Sequence, residues 1–186
     1  EFEFGYGLIP LADANQGGDL LDRVIMIRRQ CALEMGLVVP VIRIRDNIQL
    51  RPNEYIIKIK GNIVARGELL LNHYLAMSPG YDDDSIHGIP TQEPAFGLPA
   101  LWVDEEMKER DELSGYTVVD PTTALATHFS ETVRSFLPDL LTRQQTKELI
   151  DRVGQSAPRL VEDLVPKLVS VGDVQRVLRQ LLRERV

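Results

Sequence analysis

The sequence predicts an α+β protein that is divided into several subdomains. Strand patterns and one helical pattern share residues 1–67, a strongly acidic block occupies residues 72–120, and helical patterns fill residues 141–186. For residues 1–67, several strands and one helix predict a helix packed on a small sheet, which is a common arrangement. A sharp change in charge along a chain favours a separate, inserted subdomain in the middle.

The first elements build the predicted core subdomain. Alternating polar and apolar residues predict a strand from Phe2 to Leu11, which runs into Pro10. After a glycine turn, Asp19 is a good helix cap, and apolar residues then recur every three or four positions. This spacing predicts a helix of about sixteen residues, which ends at Gly36 and buries Cys31 on its apolar face.

Strands are predicted for the next part of the chain. An apolar run predicts a strand from Val38 to Arg45. Tyr55–Lys60 and Ile63–Gly67 are separated by Gly61 and Asn62, which favour a tight turn. These two segments therefore predict a β-hairpin.

The acidic block carries eleven acidic residues against two basic ones between residues 72 and 120. Its net charge is −9, whereas the rest of the chain carries +2. The block predicts a second small α+β subdomain. Its predicted elements are strands at His73–Met77, Ala100–Val103 and Tyr116–Val119, a loop from Ser78 to Pro90 and a helix from Asp104 to Leu113.

Helices are predicted for the remaining chain. Asp120 followed by Pro121 starts a helix, since a cap before a proline favours a helix N-terminus. Thr142 and Gln145 form a capping-box pattern for the next helix, which is predicted to end at Gly154. Because the sequence starts without methionine and stops at the end of an amphipathic helical pattern, we expect it to be a piece of a longer protein.

Composition argues against several kinds of function. A net charge of −7 and a pI near 5.0 argue against a nucleic-acid surface, which is normally basic. No apolar run approaches the roughly 18 residues that span a membrane. One cysteine and three scattered histidines predict neither a disulfide nor a zinc site.

Two clusters could suggest chemistry, and both are better explained as structure. Asp82, Asp83 and Asp84 are contiguous, whereas a calcium-binding EF-hand loop places its acids at alternate positions. Thr127, His128 and Ser130 could suggest a nucleophile and a base, but neighbouring residues on a predicted helix point in different directions and no orienting acid is evident. We therefore predict no metal, no cofactor and no enzymatic activity.

The segment from Glu93 to Pro99 contains an exceptional aromatic residue. Phe96 lies between two prolines and next to Gly97, so it occupies a rigid bend. Such a residue is either a core plug beneath a loop or a contact point presented to a partner. Its place in an acidic insert, beside a predicted helix that carries Thr127, favours the presented floor of a groove between subdomains.

Six motifs in chain order resemble one known family. They are Glu3–Pro10, Gly17–Arg23, Ile44–Asn47, Glu93–Leu98, Gly115–Pro121 and Ala126–His128. Together they resemble the cytoplasmic domain of the FlhA/InvA-type export family, the large membrane components of type III protein-export machines. The motif around Phe96 and the segment Thr117–Pro121 are more similar to the flagellar branch than to the virulence branch.

The resemblance implies a division into subdomains. It places the first subdomain at residues 1–71 and 121–140, the inserted acidic subdomain at 72–120 and a helical, incomplete third subdomain at 141–186. A membrane-embedded half would precede Glu1, and a fourth subdomain would follow Val186. The resemblance also implies self-association into a ring at the cytoplasmic face of the bacterial inner membrane, with this fragment itself soluble.

The resemblance implies a docking function as well. It predicts a platform of the flagellar export gate that binds export chaperone–substrate complexes and export ATPase components, contacts other export-gate membrane proteins and orders substrate passage. The matching partner-binding residues are Glu93, Pro94, Phe96, Leu98 and Thr127, with Phe96 as apolar anchor and Glu93 and Thr127 as polar rim. Gly5 matches a position that matters for mobility between subdomains. The alternative is the equivalent component of a virulence secretion system.

Overall fold

The computed structural model describes residues 1–80 and 87–184, and these residues form a mixed α/β fold with eight strands, eight α-helices and two short 3-10 helices. The acidic segment Asp82–Asp84 lies outside the described residues. The strands are β1 (Phe2–Phe4), β2 (Ile44–Asp46), β3 (Glu54–Ile59), β4 (Asn62–Glu68), β5 (Tyr74–Met77), β6 (Ile89–Gln92), β7 (Pro99–Val103) and β8 (Thr117–Val119). The helices are α1 (Ile9–Ala12), α2 (Leu20–Met35), α3 (Glu105–Leu113), α4 (Pro121–Ser135), α5 (Leu137–Leu140), α6 (Arg143–Ser156), α7 (Pro158–Leu164) and α8 (Val171–Glu184).

The chain divides into two compact units. The first comprises Glu1–Ile27 and Val41–Thr132, and the second comprises Arg28–Pro40 and Val133–Val186. The acidic block therefore falls in the first unit. The predicted division into three subdomains stays a prediction.

The first sheet of the first unit has the strand order β2-β1-β3-β4. β1 runs parallel to β2 and antiparallel to β3, and β3 and β4 form the predicted hairpin. Aromatic rings fill one face, where Phe2 lies 5.6 Å from Tyr55 and 6.4 Å from Phe129 of α4 between ring centroids. Helix α4 thus packs on this sheet through an aromatic cluster, which is a large source of buried apolar area.

One acidic side chain is buried in the central strand of the first sheet. The Glu3 carboxylate accepts hydrogen bonds from Lys58 Nζ at 2.8 Å and from Asn47 Nδ2 at 2.7 Å. These bonds, that from Lys58 above all, hold the pKa of Glu3 below its ordinary value. The charge is therefore compensated where an isolated carboxylate would be costly.

The second sheet lies within the acidic block and has the strand order β6-β7-β5-β8, with every neighbouring pair antiparallel. Ala76, Val103 and Tyr116 form a small buried cluster with Met107 of α3 packed against it. The Asp104 side chain caps α3 by accepting the Met107 N–H at 3.0 Å. This arrangement leaves most of the acids of α3 exposed while Met107 packs against the sheet.

The second unit is helical apart from the segment that precedes β2. The predicted capping box is confirmed, because Thr142 Oγ1 accepts the Gln145 N–H at 3.1 Å and Gln145 Oε1 accepts the Thr142 N–H at 3.0 Å. Gln175 and Arg179 of α8 both donate to the carbonyl of Leu141 at 2.9 Å. These bonds satisfy a carbonyl at the end of α5, where a helix leaves such groups unpaired.

The sixteen-residue helix and its end before Gly36 are confirmed, whereas two predicted strands are too long. The strand predicted from Phe2 to Leu11 covers only Phe2–Phe4, because Pro10 lies in the first turn of α1. The strand predicted from Val38 to Arg45 covers only Ile44–Asp46. The carbonyl of Val39 accepts two bonds from the Arg28 guanidinium at 2.9 and 3.1 Å instead of joining a sheet.

Two further boundaries differ from the sequence predictions. The loop predicted from Ser78 to Pro90 gives way to β6 at Ile89, an edge strand in which proline is tolerated. Helix α6 continues past Gly154 to Ser156, and Pro158 then begins α7. Gly154 is therefore an interior residue of a helix and not its end.

We predict that Gly154→Ala stabilises the protein. A Cβ at this position would make only ordinary contacts, the nearest with Val161 at 3.9 Å. Alanine in a helix interior is favoured over glycine by roughly 0.5–1 kcal/mol. Chemical denaturation of both proteins measures the difference, and a loss of stability would show that the glycine has a role beyond its helix.

Candidate functional site

The candidate site begins with the loop between β6 and β7. These strands pair as a hairpin in which Gln92 lies opposite Pro99, so residues 93–98 form its tip. The tip is closed by two backbone hydrogen bonds, from the Glu93 N–H to the Leu98 carbonyl and from the Gly97 N–H to the Glu93 carbonyl, both 2.8 Å long. The predicted bend at Phe96 is therefore confirmed as a hairpin tip.

The Glu93 side chain turns back into this tip. Its Oε1 accepts the Ala95 N–H at 2.9 Å, and its Oε2 accepts the Phe96 N–H at 2.7 Å. Hydrogen bonds from backbone N–H groups to an ionised carboxylate are among the stronger ones in proteins. One buried side chain, only 3% exposed, thus fixes the backbone on which Phe96 stands.

The apolar residues of the tip face outward. Phe96 is 62% exposed and Leu98 is 50% exposed. Gly97 has a φ of +70°, a left-handed conformation that glycine adopts without strain, and Pro94 restricts the turn further. The core-plug alternative for Phe96 is therefore wrong, and the tip presents two apolar side chains on a stiff backbone.

The second part of the candidate site lies on α4. Thr127 is exposed, and its Oγ1 donates to the Thr123 carbonyl at 2.9 Å, so its lone pairs remain able to accept. The next residue, His128, is 7% exposed and makes a 2.6 Å hydrogen bond through Nδ1 to the hydroxyl of Tyr55 on β3. α4 therefore carries an exposed hydroxyl beside a buried imidazole.

In the Tyr55–His128 hydrogen bond the Tyr55 hydroxyl is the donor. The fully buried Tyr55 hydroxyl has Nδ1 as its one hydrogen-bond partner among the described residues, so it donates there and leaves the ring proton on Nε2. Burial, with the nearby charge of Glu93, raises the pKa of Tyr55 and keeps the hydroxyl protonated. Burial also lowers the pKa of His128, although the Glu93 charge opposes this shift.

The structure brings together the predicted partner-binding residues of one loop. Glu93, Pro94, Phe96 and Leu98 share the hairpin tip, whereas Thr127 lies on α4. The expectation that Glu93 forms a surface rim is wrong, because its carboxylate is buried and engaged by the tip backbone. Its predicted part in partner binding stays a prediction, and Thr127 keeps the exposed position expected of a rim group.

Sequence reasoning missed the Tyr55–His128 pair. The two residues are 73 positions apart, and neither lies in a recognisable two-residue motif. The one residue in the sequence that could have indicated this pair is Gly67, because a Cβ at position 67 would lie 2.4 Å from the Tyr55 hydroxyl oxygen. Gly67 leaves room for a polar atom that a larger residue would displace.

Gly5 lies where the chain leaves β1. A Cβ on Gly5 would lie 1.9 Å from the Arg51 carbonyl oxygen and 2.7 Å from that of Pro52. Its N–H also donates to the Glu54 carbonyl at 2.8 Å. Gly5 is therefore required for a close backbone approach, and its predicted part in mobility between subdomains stays a prediction.

Within residues 1–80 and 87–184, no group of three or more His, Cys, Asp or Glu side chains is arranged to hold a metal ion. In the same residues no helix has the length and apolar character needed to cross a membrane. The hairpin tip presents the apolar side chains of Phe96 and Leu98, and α4 presents the hydroxyl of Thr127.

Comparison with known proteins identifies the family. The model of the FHIPEP family matches residues 1–186. The chain belongs to the FHIPEP family. A relative from Bacillus subtilis (strain 168), described as flagellar biosynthesis protein FlhA, is 63% identical over all 186 residues. These residues are 28% of that relative, so the FHIPEP chain spans little more than a quarter of its length.

Solved structures share the fold of this FHIPEP chain. The Chlamydia pneumoniae CdsV protein has a TM-score of 0.81 at 24% identity, covering 100% of this chain and 59% of that one. CdsV is also known in complex with CdsO. The nonameric SctV-C of EPEC has a TM-score of 0.65 at 15% identity, covering 100% of this chain and 54% of the other. At these identities the likeness shows the fold.

We predict that His128 makes stability depend on pH. In the unfolded chain the His128 imidazole takes up a proton near the ordinary histidine pKa of 6.5. In the folded protein the buried His128 imidazole takes up this proton only at lower pH. The stabilisation is therefore complete above about pH 6.5 and is lost as pH falls towards the native pKa, with a slope of at most about 1.4 kcal/mol per pH unit. Urea denaturation at several pH values in this range measures the free energy of unfolding. Its dependence on pH should be shallower for His128→Asn than for the wild type, and equal dependences would contradict the lowered pKa of His128.

We predict that Gly5→Ala destabilises the first unit. The overlap with two backbone carbonyls forces the segment at Arg51 to move, which typically costs about 1–3 kcal/mol. Thermal unfolding followed by circular dichroism measures the loss. Gly154→Ala is the matched control, since the same substitution there makes only ordinary van der Waals contacts. An unchanged melting temperature in Gly5→Ala would refute the close approach.

Proposed function

We propose that this chain is part of a docking platform of the flagellar type III protein-export gate, and that it binds export chaperone–substrate complexes through the hairpin tip and α4. The observation that carries the proposal is an apolar pair, Phe96 and Leu98, exposed on a backbone that Glu93 makes rigid. Isolated exposed apolar residues are common, and the feature that supports docking here is that two of them share one tip whose backbone is fixed by Glu93.

The geometry suits recognition without chemistry. An aromatic side chain on a preorganised support can enter a pocket of a partner with little loss of conformational entropy. Such central aromatic anchors supply much of the binding free energy at protein interfaces, while polar groups around them set orientation. Phe96 is the proposed anchor, and Thr127 is the proposed polar group at the edge.

Assembly and location are inferred from relatives. The nonameric SctV-C structure supports self-association of the full-length protein into a ring. The complex of CdsV with CdsO supports binding of a further component of an export apparatus, and we propose an export ATPase component in this role. The proposed location is the cytoplasmic face of the bacterial inner membrane, next to other gate proteins, with this fragment itself soluble.

The flagellar branch is favoured over the virulence branch by a specific observation. The relative named flagellar biosynthesis protein FlhA is 63% identical to this chain, whereas the CdsV protein is 24% identical. A component of a virulence secretion system remains the second candidate. It would share the docking surface and differ in the chaperones that it accepts.

We predict that Phe96→Ala weakens chaperone–substrate binding at least about 30-fold, corresponding to loss of a central aromatic anchor worth roughly 2 kcal/mol. Because Phe96 is exposed, the fold should be kept. Titration calorimetry with flagellar and with virulence chaperone–substrate complexes measures the loss and identifies the branch. Circular dichroism checks the fold of the variant.

A matched control comes from another exposed apolar residue. Leu113 ends α3 and is 89% exposed, so Leu113→Ala removes a similar surface side chain away from the hairpin tip. We expect this variant to bind like the wild type. Equal binding by Phe96→Ala and Leu113→Ala, or unfolding of Phe96→Ala, would overturn the assignment of the anchor.

A further inference from the structure

Helix α2 carries apolar side chains on two faces. One face holds the buried residues Leu20, Val24 and Cys31. The opposite face carries four large apolar side chains that are between 51% and 78% exposed, namely Leu21, Ile25, Met26 and Leu33. A helix that is apolar all round is normally covered all round. The solvent side of α2 is therefore an uncovered apolar surface.

Two charged residues, Asp22 and Arg29, lie along the middle of this exposed face. They are two helical turns apart, so about 10 Å separates them along the helix axis. Both are exposed, and in the part of the chain that the structure describes neither side chain makes an ion pair or a hydrogen bond. Arg23 of the same helix, by contrast, pairs with Asp19 at 2.7 Å. Because α2 is one continuous helix, its periodicity alone sets these positions.

The order of residues on the exposed face is self-complementary. Asp22 and Arg29 lie at equal distances on opposite sides of the midpoint between Ile25 and Met26. If a second α2 lies antiparallel on the first, with a two-fold axis through this midpoint, Asp22 of each copy faces Arg29 of the other. Ile25 of each copy then faces Met26 of the other. Charged and apolar side chains therefore both find a matching group in a second copy of the chain.

We propose that the exposed face of α2 is a self-association surface, and that it binds α2 of a second copy of this chain in antiparallel orientation. The contact removes apolar side chains of both copies from water. The two symmetric Asp22–Arg29 pairs set the orientation, because a parallel pairing would place like charges opposite each other.

This contact goes beyond the proposed docking function and does not depend on it. The hairpin tip takes no part in the α2 pairing. A two-fold contact joins two copies and then closes, whereas the proposed ring needs a head-to-tail contact through other surfaces.

The expected association is weak. One pair of helices buries less than the roughly 1,200–2,000 Å² of total surface that is usual for stable interfaces. We therefore expect a monomer–dimer equilibrium with a Kd between about 10 and about 500 μM. Sedimentation velocity at chain concentrations up to about 1 mM measures this equilibrium.

Charge reversal tests the orientation of the pair. Asp22→Arg and Arg29→Asp each place like charges opposite each other, so we expect each variant alone to dimerise at least about tenfold more weakly than the wild type. An equal mixture of the two variants should form a heterodimer of about wild-type affinity, because every reversed charge then faces an opposite one. Both variants keep a net negative charge, so overall attraction between the chains does not explain the mixing result.

A matched control lies on α3. Glu112→Arg makes the same change of charge as Asp22→Arg at another exposed helical position, and we expect it to dimerise like the wild type. Circular dichroism checks the fold of each variant, because Asp22 lies in the first turn of α2, where an acid is favoured. If a reversal unfolds the chain, Met26→Ala replaces it, and undiminished association of that variant overturns the proposal.

Three further results would overturn the α2 pairing. They are a wild-type chain that stays monomeric up to about 1 mM, single reversals that associate as strongly as the wild type, and folded single reversals that do not associate when mixed. None of these results depends on chaperone binding, which the Phe96→Ala variant tests separately.

Discussion

The hydrogen bonds between the Glu93 carboxylate and the backbone N–H groups of Ala95 and Phe96 are the interaction on which the docking site depends. Prolines and a left-handed Gly97 restrict the tip, but they do not determine which way Phe96 projects. The Glu93 carboxylate determines this direction, because its two oxygens accept hydrogen bonds from the N–H groups of Ala95 and Phe96, within three residues of Glu93 itself. An aromatic side chain can therefore stand exposed and ordered at the same place.

This arrangement has a cost that the rest of the unit offsets. A buried carboxylate is unfavourable unless hydrogen bonds or opposite charges compensate it. The tip backbone supplies these hydrogen bonds through the N–H groups of Ala95 and Phe96. Two other buried polar groups of the same unit are also compensated. Glu3 is bonded by Lys58 and Asn47, and His128 is bonded by the Tyr55 hydroxyl, which fits because Gly67 lacks a side chain.

Local patterns in the sequence predicted much of the fold. The sixteen-residue helix, the β3–β4 hairpin and the capping box at Thr142 depend on neighbours in the chain, and all three are confirmed. The extents of the strands were harder to predict. The Val39 carbonyl accepts a hydrogen bond from the Arg28 side chain and so does not join a sheet, and β6 forms only by pairing with β7. The exposed bend at Phe96 was predictable from its prolines and glycine. The burial of Glu93 was not, since an acidic residue in a loop is normally solvated.

The most direct test maps the docking surface on the intact chain. An unlabelled flagellar chaperone–substrate complex is added to the ¹⁵N-labelled chain, and the perturbed amide signals are assigned. The account predicts the largest changes at residues 93–98 and on α4 around Thr127, with little change on α3 or in the helices of the second unit. Perturbations confined to α3 or to α6–α8, with the hairpin tip unaffected, would contradict it.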